Sequence, residues 1–173
     1  LAQTYDGTAK SVTATTTPAG LTVDITYEGS ATAPTTAGSY AVVATINDAN
    51  YEGSASNTLV IAKANQTINF PTIDEKVTTE TVALSAAASS GLPVSFAVAN
   101  GPAVINGTTL TFTGAGTVSI VASQAGNESW NAALEVTNTF TVVELDYELN
   151  RTAVNVREGG EGRFFVRLNR NPG

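Results

Sequence analysis

Apolar and polar residues alternate with a period of two through most of this chain. Leu21, Val23, Ile25 and Tyr27 are separated by Thr22, Asp24 and Thr26, and Tyr40, Val42, Ala44 and Ile46 form a second such set. Further sets follow at Val82/Leu84/Ala86, Val94/Phe96/Val98, Leu110/Phe112, Val118/Ile120/Ala122 and Phe140/Val142. Because successive strand side chains point to opposite faces, each set predicts a strand with one buried face. Turn chemistry separates the sets: Pro18-Ala19-Gly20, Asn47-Asp48-Ala49-Asn50, Asn100-Gly101-Pro102, Asn106-Gly107 and Thr113-Gly114-Ala115-Gly116. Gly and Asn tolerate the positive φ that tight hairpins need. No stretch carries a helical period. Many short strands with regular turn signals predict an all-β chain of tandem immunoglobulin-like β-sandwich modules.

The pattern also repeats. Ala37-Gly38-Ser39-Tyr40-Ala41-Val42-Val43-Ala44 matches Ala115-Gly116-Thr117-Val118-Ser119-Ile120-Val121-Ala122. Downstream, Asn50-Tyr51-Glu52-Gly53-Ser54-Ala55 echoes Glu128-Ser129-Trp130-Asn131-Ala132-Ala133, and each copy ends in an apolar strand, Leu59-Val60-Ile61 or Phe140-Thr141-Val142-Val143. Self-similarity of this kind marks stacked modules. We read module one as 1–63, module two as 64–143, and 144–173 as the truncated start of a third β module. The junction Ala62-Lys63-Ala64-Asn65-Gln66 has no Pro/Gly-rich spacer, so the last strand of module one should run almost directly into Thr67–Phe70. A short junction limits hinge freedom and suits an extended rod.

Composition changes the picture in three ways. The chain has no Cys and no His, which removes disulfides, thiolate chemistry, the commonest acid–base catalyst and the commonest transition-metal ligand. It has no Met either, so it is expected to be a fragment or a processed product. Its net charge of −7 disfavours nucleic acid as a partner. That charge lies in residues 1–143, whereas 144–173 hold all five Arg and five acidic residues, a break that supports a boundary near 144. No signal peptide and no long apolar run occurs, so no membrane insertion is expected.

Tyr5-Asp6-Gly7-Thr8-Ala9-Lys10, Thr36-Ala37-Gly38-Ser39-Tyr40, Asn47-Asp48-Ala49-Asn50-Tyr51 and Leu59-Val60-Ile61-Ala62-Lys63 resemble the MBG/YDG-type repeat of bacterial adhesin-like surface proteins. Module two, with Gln66-Thr67-Ile68-Asn69-Phe70, Ser89-Ser90-Gly91-Leu92-Pro93-Val94 and Gly114-Ala115-Gly116-Thr117-Val118, is similar to a bacterial Ig-like repeat. Val156 through Leu168 looks like the opening of a Calx-beta-like module. These resemblances imply a non-catalytic spacer or stalk in a secreted or cell-surface bacterial protein. They fit an adhesin, or the carbohydrate-binding accessory region of an extracellular polysaccharide-degrading enzyme.

The chemistry-bearing residues are few. Asp74 and Glu75 are adjacent, so a strand would point them to opposite faces, and no pair of carboxylates suggests a glycosidase. No catalytic residue and no cofactor site is predicted. Asp48, Asn50 and Glu52 offer oxygen ligands for Ca2+ at loop spacing, against the plainer reading of a polar Asx turn. Trp130 and Tyr51 are candidates for stacking on a polysaccharide or cell-surface ligand, with Tyr27 and Tyr5 as further aromatics. Because Trp130 and Tyr51 share a repeat position, a packing role is the stronger expectation, with the Trp130 ring largely buried under the loop between the last two strands of module two. An isopeptide cross-link needs a buried Lys, but Lys10, Lys63 and Lys76 all adjoin polar or turn sequence. The expected partners are neighbouring modules. In 144–173, the alternating Phe164, Val166 and Leu168 suggest strand addition from another chain.

Overall fold

A computed structural model describes residues 1–145 of the chain. The expectations for Val156 through Leu168, including Phe164, Val166 and Leu168, lie outside the described residues. The described chain is all-β, of the immunoglobulin-like sandwich class. In chain order its strands are β1 (Ala2–Thr4), β2 (Val23–Tyr27), β3 (Gly38–Ile46), β4 (Ser54–Ala62), β5 (Ile68–Asn69), β6 (Lys76–Val77) and β7 (Thr81–Ala83). They continue with β8 (Ala87–Ala88), β9 (Ser95–Asn100), β10 (Ala103–Asn106), β11 (Thr109–Phe112), β12 (Gly116–Ser123) and β13 (Val136–Val143). β3 and β12, the two copies of the repeated segment, both open on the glycine that the repeat predicts.

Two compact units form by contact, and they do not follow the linear order of the chain. The first comprises Leu1–Phe70, Ala86–Ser95 and Ala122–Val136. The second comprises Pro71–Ser85, Phe96–Val121 and, among the described residues, 137–145.

In the first unit, one four-stranded sheet has the order β1-β4-β3-β2. β3 pairs antiparallel with β4, Tyr40 opposite Leu59 and Val42 opposite Asn57, and with β2, Ile25 opposite Ala44. β1 pairs parallel with β4, Ala2 opposite Val60 and Thr4 opposite Ala62. Tyr27, Val42, Leu59 and Ile61 form the buried centre, packed against Tyr5, Val12, Ala33 and Ala37. The layer facing the sheet is extended chain without a ladder of its own. Lys10 N donates to Pro34 O at 2.9 Å, and Val12 N donates to the buried Tyr27 Oη at 2.9 Å. This layer carries Thr-rich, Pro-containing sequence, which favours extended backbone without supplying a continuous alternation. A short antiparallel pair, β5 with β8, also belongs to this unit.

The second unit has a three-stranded sheet, β10-β11-β7, and a four-stranded sheet, β6-β13-β12-β9. Leu110 of the first and Val118, Ile120, Phe140 and Val142 of the second are buried. Phe112 and Phe140, one from each sheet, touch edge to face with centroids 6.0 Å apart. β6 pairs parallel with β13, Lys76 opposite Val142 and Val77 opposite Val143. The Gly107-Thr108 connection of the β10–β11 hairpin follows from the Asn-Gly signal, with Gly107 at φ 62.

Candidate functional site

Among the described residues, no group of three or more His, Cys, Asp or Glu side chains that could hold a metal ion converges. The densest set of specific interactions is instead at the junction, within the first unit, where residues 63–66 meet the β12–β13 loop.

That loop is built locally. Gly126 takes φ +78, a conformation open to glycine. Asn127 then folds an Asx turn: its Oδ1 accepts from Ser129 N at 2.8 Å and from Trp130 N at 2.9 Å. Asn127 N donates to Trp130 O at 3.0 Å, and Ala133 N donates to Gln124 O at 2.9 Å, which closes the loop. The result presents the Ser129–Asn131 backbone as a short edge.

The junction lays itself on that edge. Ala64 N donates to Ser129 O at 3.0 Å, and Asn131 N donates to Ala64 O at 2.8 Å, so Ala64 and Trp130 form a parallel bridge. Lys63 Nζ donates to Asn127 O at 2.7 Å, and Asn131 Nδ2 donates to Asn65 Oδ1 at 2.8 Å. Gln66 is 6% exposed, and its amide is fully used. Nε2 donates to Gln124 Oε1 at 2.6 Å and to Asn131 O at 2.7 Å, while Oε1 accepts from Ser90 Oγ. A buried amide is costly unless all its groups are paired, and among the described residues no buried side-chain N or O lacks a partner. Two further contacts come from earlier in the chain: Ala37 N donates weakly to the buried Ser129 Oγ at 3.4 Å, and Tyr5 meets Trp130.

Trp130 sits in the same loop. It is half-buried, and Tyr5, just after β1, packs edge to face on its ring, 5.6 Å between centroids at 80°. The ring therefore supports a contact between the end of β1 and the β12–β13 loop. Tyr51, its counterpart in the β3–β4 loop, is 48% exposed. The local device is the same in both copies. Asp48 Oδ1 accepts from Asn50 N at 2.8 Å, as Asn127 does from Ser129 N, and the aromatic follows three residues after the Asx. Asp48, Asn50 and Glu52 are all exposed, and Asp48 spends one oxygen on its own turn. Tyr27 is buried in the core of the first unit, and Tyr5 stands nearly perpendicular to Trp130, so these aromatics do not form one flat platform.

The Tyr5-Asp6-Gly7-Thr8-Ala9-Lys10 segment is a second local structure. Asp6 Oδ1 accepts from Thr8 N at 2.9 Å and from Thr8 Oγ1 at 2.6 Å, and Lys10 Nζ pairs with Asp6 Oδ2. The Lys10 ammonium, with help from the Thr8 hydroxyl and N–H, holds the Asp6 carboxyl well below the usual carboxylate range. The turn thus seats Tyr5 at the end of β1, where its N–H donates to Ala62 O at 2.9 Å.

Gln66 and Ser129 carry no sequence signal of their role, since both are small or polar residues in a polar stretch. The missing Pro/Gly spacer was the readable hint.

No helix of the described chain is long and apolar enough to cross a membrane, which leaves β-barrels unaddressed. A search of curated proteins returns no match. Among solved structures, the first two domains of human protocadherin-24 are 11% identical, with 61% of this chain and 66% of that chain covered and a TM-score of 0.36. An endo-fucoidan hydrolase of glycoside hydrolase family 107 is 13% identical over 72% of this chain and 24% of that one, with a TM-score of 0.32. Residues 1–65, which hold the whole β1-β4-β3-β2 sheet and end inside the junction, match the family model of the MBG domain.

Proposed function

We propose that this chain is a non-catalytic spacer of a secreted or cell-surface bacterial protein, adhesin-like, in which an MBG-type module is followed by a bacterial Ig-like module over 64–143 and by the start of a Calx-beta-like module. The observation that carries this reading is the junction. Residues 63–66 are bonded through side chains and backbone to the β12–β13 loop, with the amide of Gln66 buried and satisfied. A linker that only joins two independent binding domains needs none of these bonds. A spacer that holds a direction from one module to the next needs them, because each bond removes freedom that a flexible linker keeps.

The test is backbone 15N relaxation and residual dipolar couplings on the full chain. Lys63–Gln66 should be as ordered as β3 and β4, and the β12–β13 loop should share the alignment frame of the β1–β4 sheet. Order parameters below about 0.6 across 63–66 would overturn the reading. Retention on an insoluble polysaccharide that is lost in Tyr51→Ala would replace it with carbohydrate binding, the role favoured by the exposure of Tyr51.

A further inference from the structure

In each module the first strand that reaches the closing strand lies parallel to it. β1 runs beside β4 in module one, and β6 runs beside β13 in module two. Parallel pairing has a mechanical consequence. The start of the first strand and the end of the last strand lie at opposite ends of the shared ladder. Tension applied through the two chain ends therefore slides one strand along the other. Every bond of the ladder lies across the direction of pull, so all of them are loaded together. An antiparallel terminal pair would instead open one bond at a time.

From this we infer that the chain is a load-bearing element, with the β1–β4 ladder as the shear clamp of module one and β6–β13 as that of module two. The inference takes its biological use from the spacer reading, but the geometry stands apart from it. The β1–β4 ladder is the longer of the two. The amino group of Leu1 donates to Thr58 O at 2.9 Å, Val60 N donates to Leu1 O at 2.8 Å, and Tyr5 N donates to Ala62 O at 2.9 Å. The alternation of a parallel ladder makes Gln3, opposite Ile61, the bonded residue between them, while the N–H groups of Ala2 and Thr4 face the open edge of the sheet. Module two pairs only Lys76 and Val77 in this way, extended by Thr78 N donating to Val143 O at 3.0 Å. Module two should therefore yield at the lower force.

The experiment is single-molecule force spectroscopy of the full chain between marker domains. Each module is identified by its length gain, on the order of 200 Å for a chain of this size. The chain has no cysteine, so an introduced one defines a second pulling point. Ala49 is exposed in the β3–β4 loop, at the end of the ladder where Leu1 also lies. Load between the N-terminus and Ala49→Cys peels β1 from its first residue. The rupture force of module one should then be lower by roughly two-fold or more than in end-to-end pulling, since the bonds are met in turn. Gln3→Pro, which deletes a ladder donor, should lower the end-to-end force of module one alone. Thr4→Pro, which deletes an outward N–H, should leave it unchanged. Equal forces in the two pulling directions would overturn the inference, even if Gln3→Pro does not fold. That result would leave the spacer reading standing, because ordering of 63–66 is measured separately.

Discussion

Tyr5 and Trp130 meet edge to face, 5.6 Å between centroids, although 124 positions of sequence separate a residue at the end of β1 from one in the β12–β13 loop. The contact joins the Tyr5-Asp6-Gly7 turn to the loop that also holds Ala64. Edge-to-face pairs of this kind contribute about 0.5–1.5 kcal/mol beyond the area they bury. A double-mutant cycle of Tyr5→Ala and Trp130→Ala, read by urea unfolding of the full chain, should give a coupling energy in that range. Additive losses would show that the rings are neighbours without mutual stabilisation.

Gly126 controls the shape of the receiving loop. A Cβ there would collide with the Trp130 carbonyl oxygen and with the backbone of Asn131 and Ala132, and φ is +78. Gly126→Ala should destabilise by about 2 kcal/mol or more, through both strain and collision. Gly91, at φ +77 with open space where a Cβ would go, is the control. Gly91→Ala should cost only the conformational term of about 1 kcal/mol. Equal losses would mean that the collision at Gly126 is absorbed at no cost.

Glu28 is the one described non-glycine residue with positive φ, 50°, followed by Gly29 at 85°. The pair forms a tight turn in which Tyr27 and Ser30 exchange backbone bonds of 2.7 and 2.9 Å. Asn adopts this backbone more readily than Glu, and Asn-Gly is the preferred pair for a two-residue turn. Glu28→Asn should raise stability by about 0.5–1 kcal/mol, measured as a higher denaturation midpoint at unchanged slope. A neutral or destabilising result would assign the Glu28 side chain a compensating role.

Asp6 gives a pH dependence with a definite sign. Its folded pKa lies below the ordinary value of 3.8, chiefly through Lys10 and then through Thr8. Between the two values the unfolded chain binds the proton and the folded chain does not. The turn's contribution to stability is therefore present above about pH 3.8 and is lost as the pH falls through the lower, folded value. A carboxyl 13C titration should place the Asp6 midpoint below 3.8, and Lys10→Met should move it back upward. A midpoint at or above the ordinary value in the parent chain would contradict the hydrogen-bonded geometry.

What the sequence determined by itself was the set of faces. The rows Leu21/Val23/Ile25/Tyr27, Tyr40/Val42/Ala44/Ile46 and Val118/Ile120/Ala122 all point inward, because a strand's period of two allows no other way to bury every second residue. The repeat of the Gly38 and Gly116 segments as β3 and β12, and the Asx turn at Asp48, were legible for the same reason: each depends on residues a few positions apart. Tertiary structure decided the rest. It placed Trp130 against Tyr5, buried Gln66 between Gln124, Ser90 and Asn131, and laid β1 parallel to β4. These pairings join positions far apart in the chain. Such choices depend on which edges and loops the folded strands bring together, and no local period or turn signal encodes that.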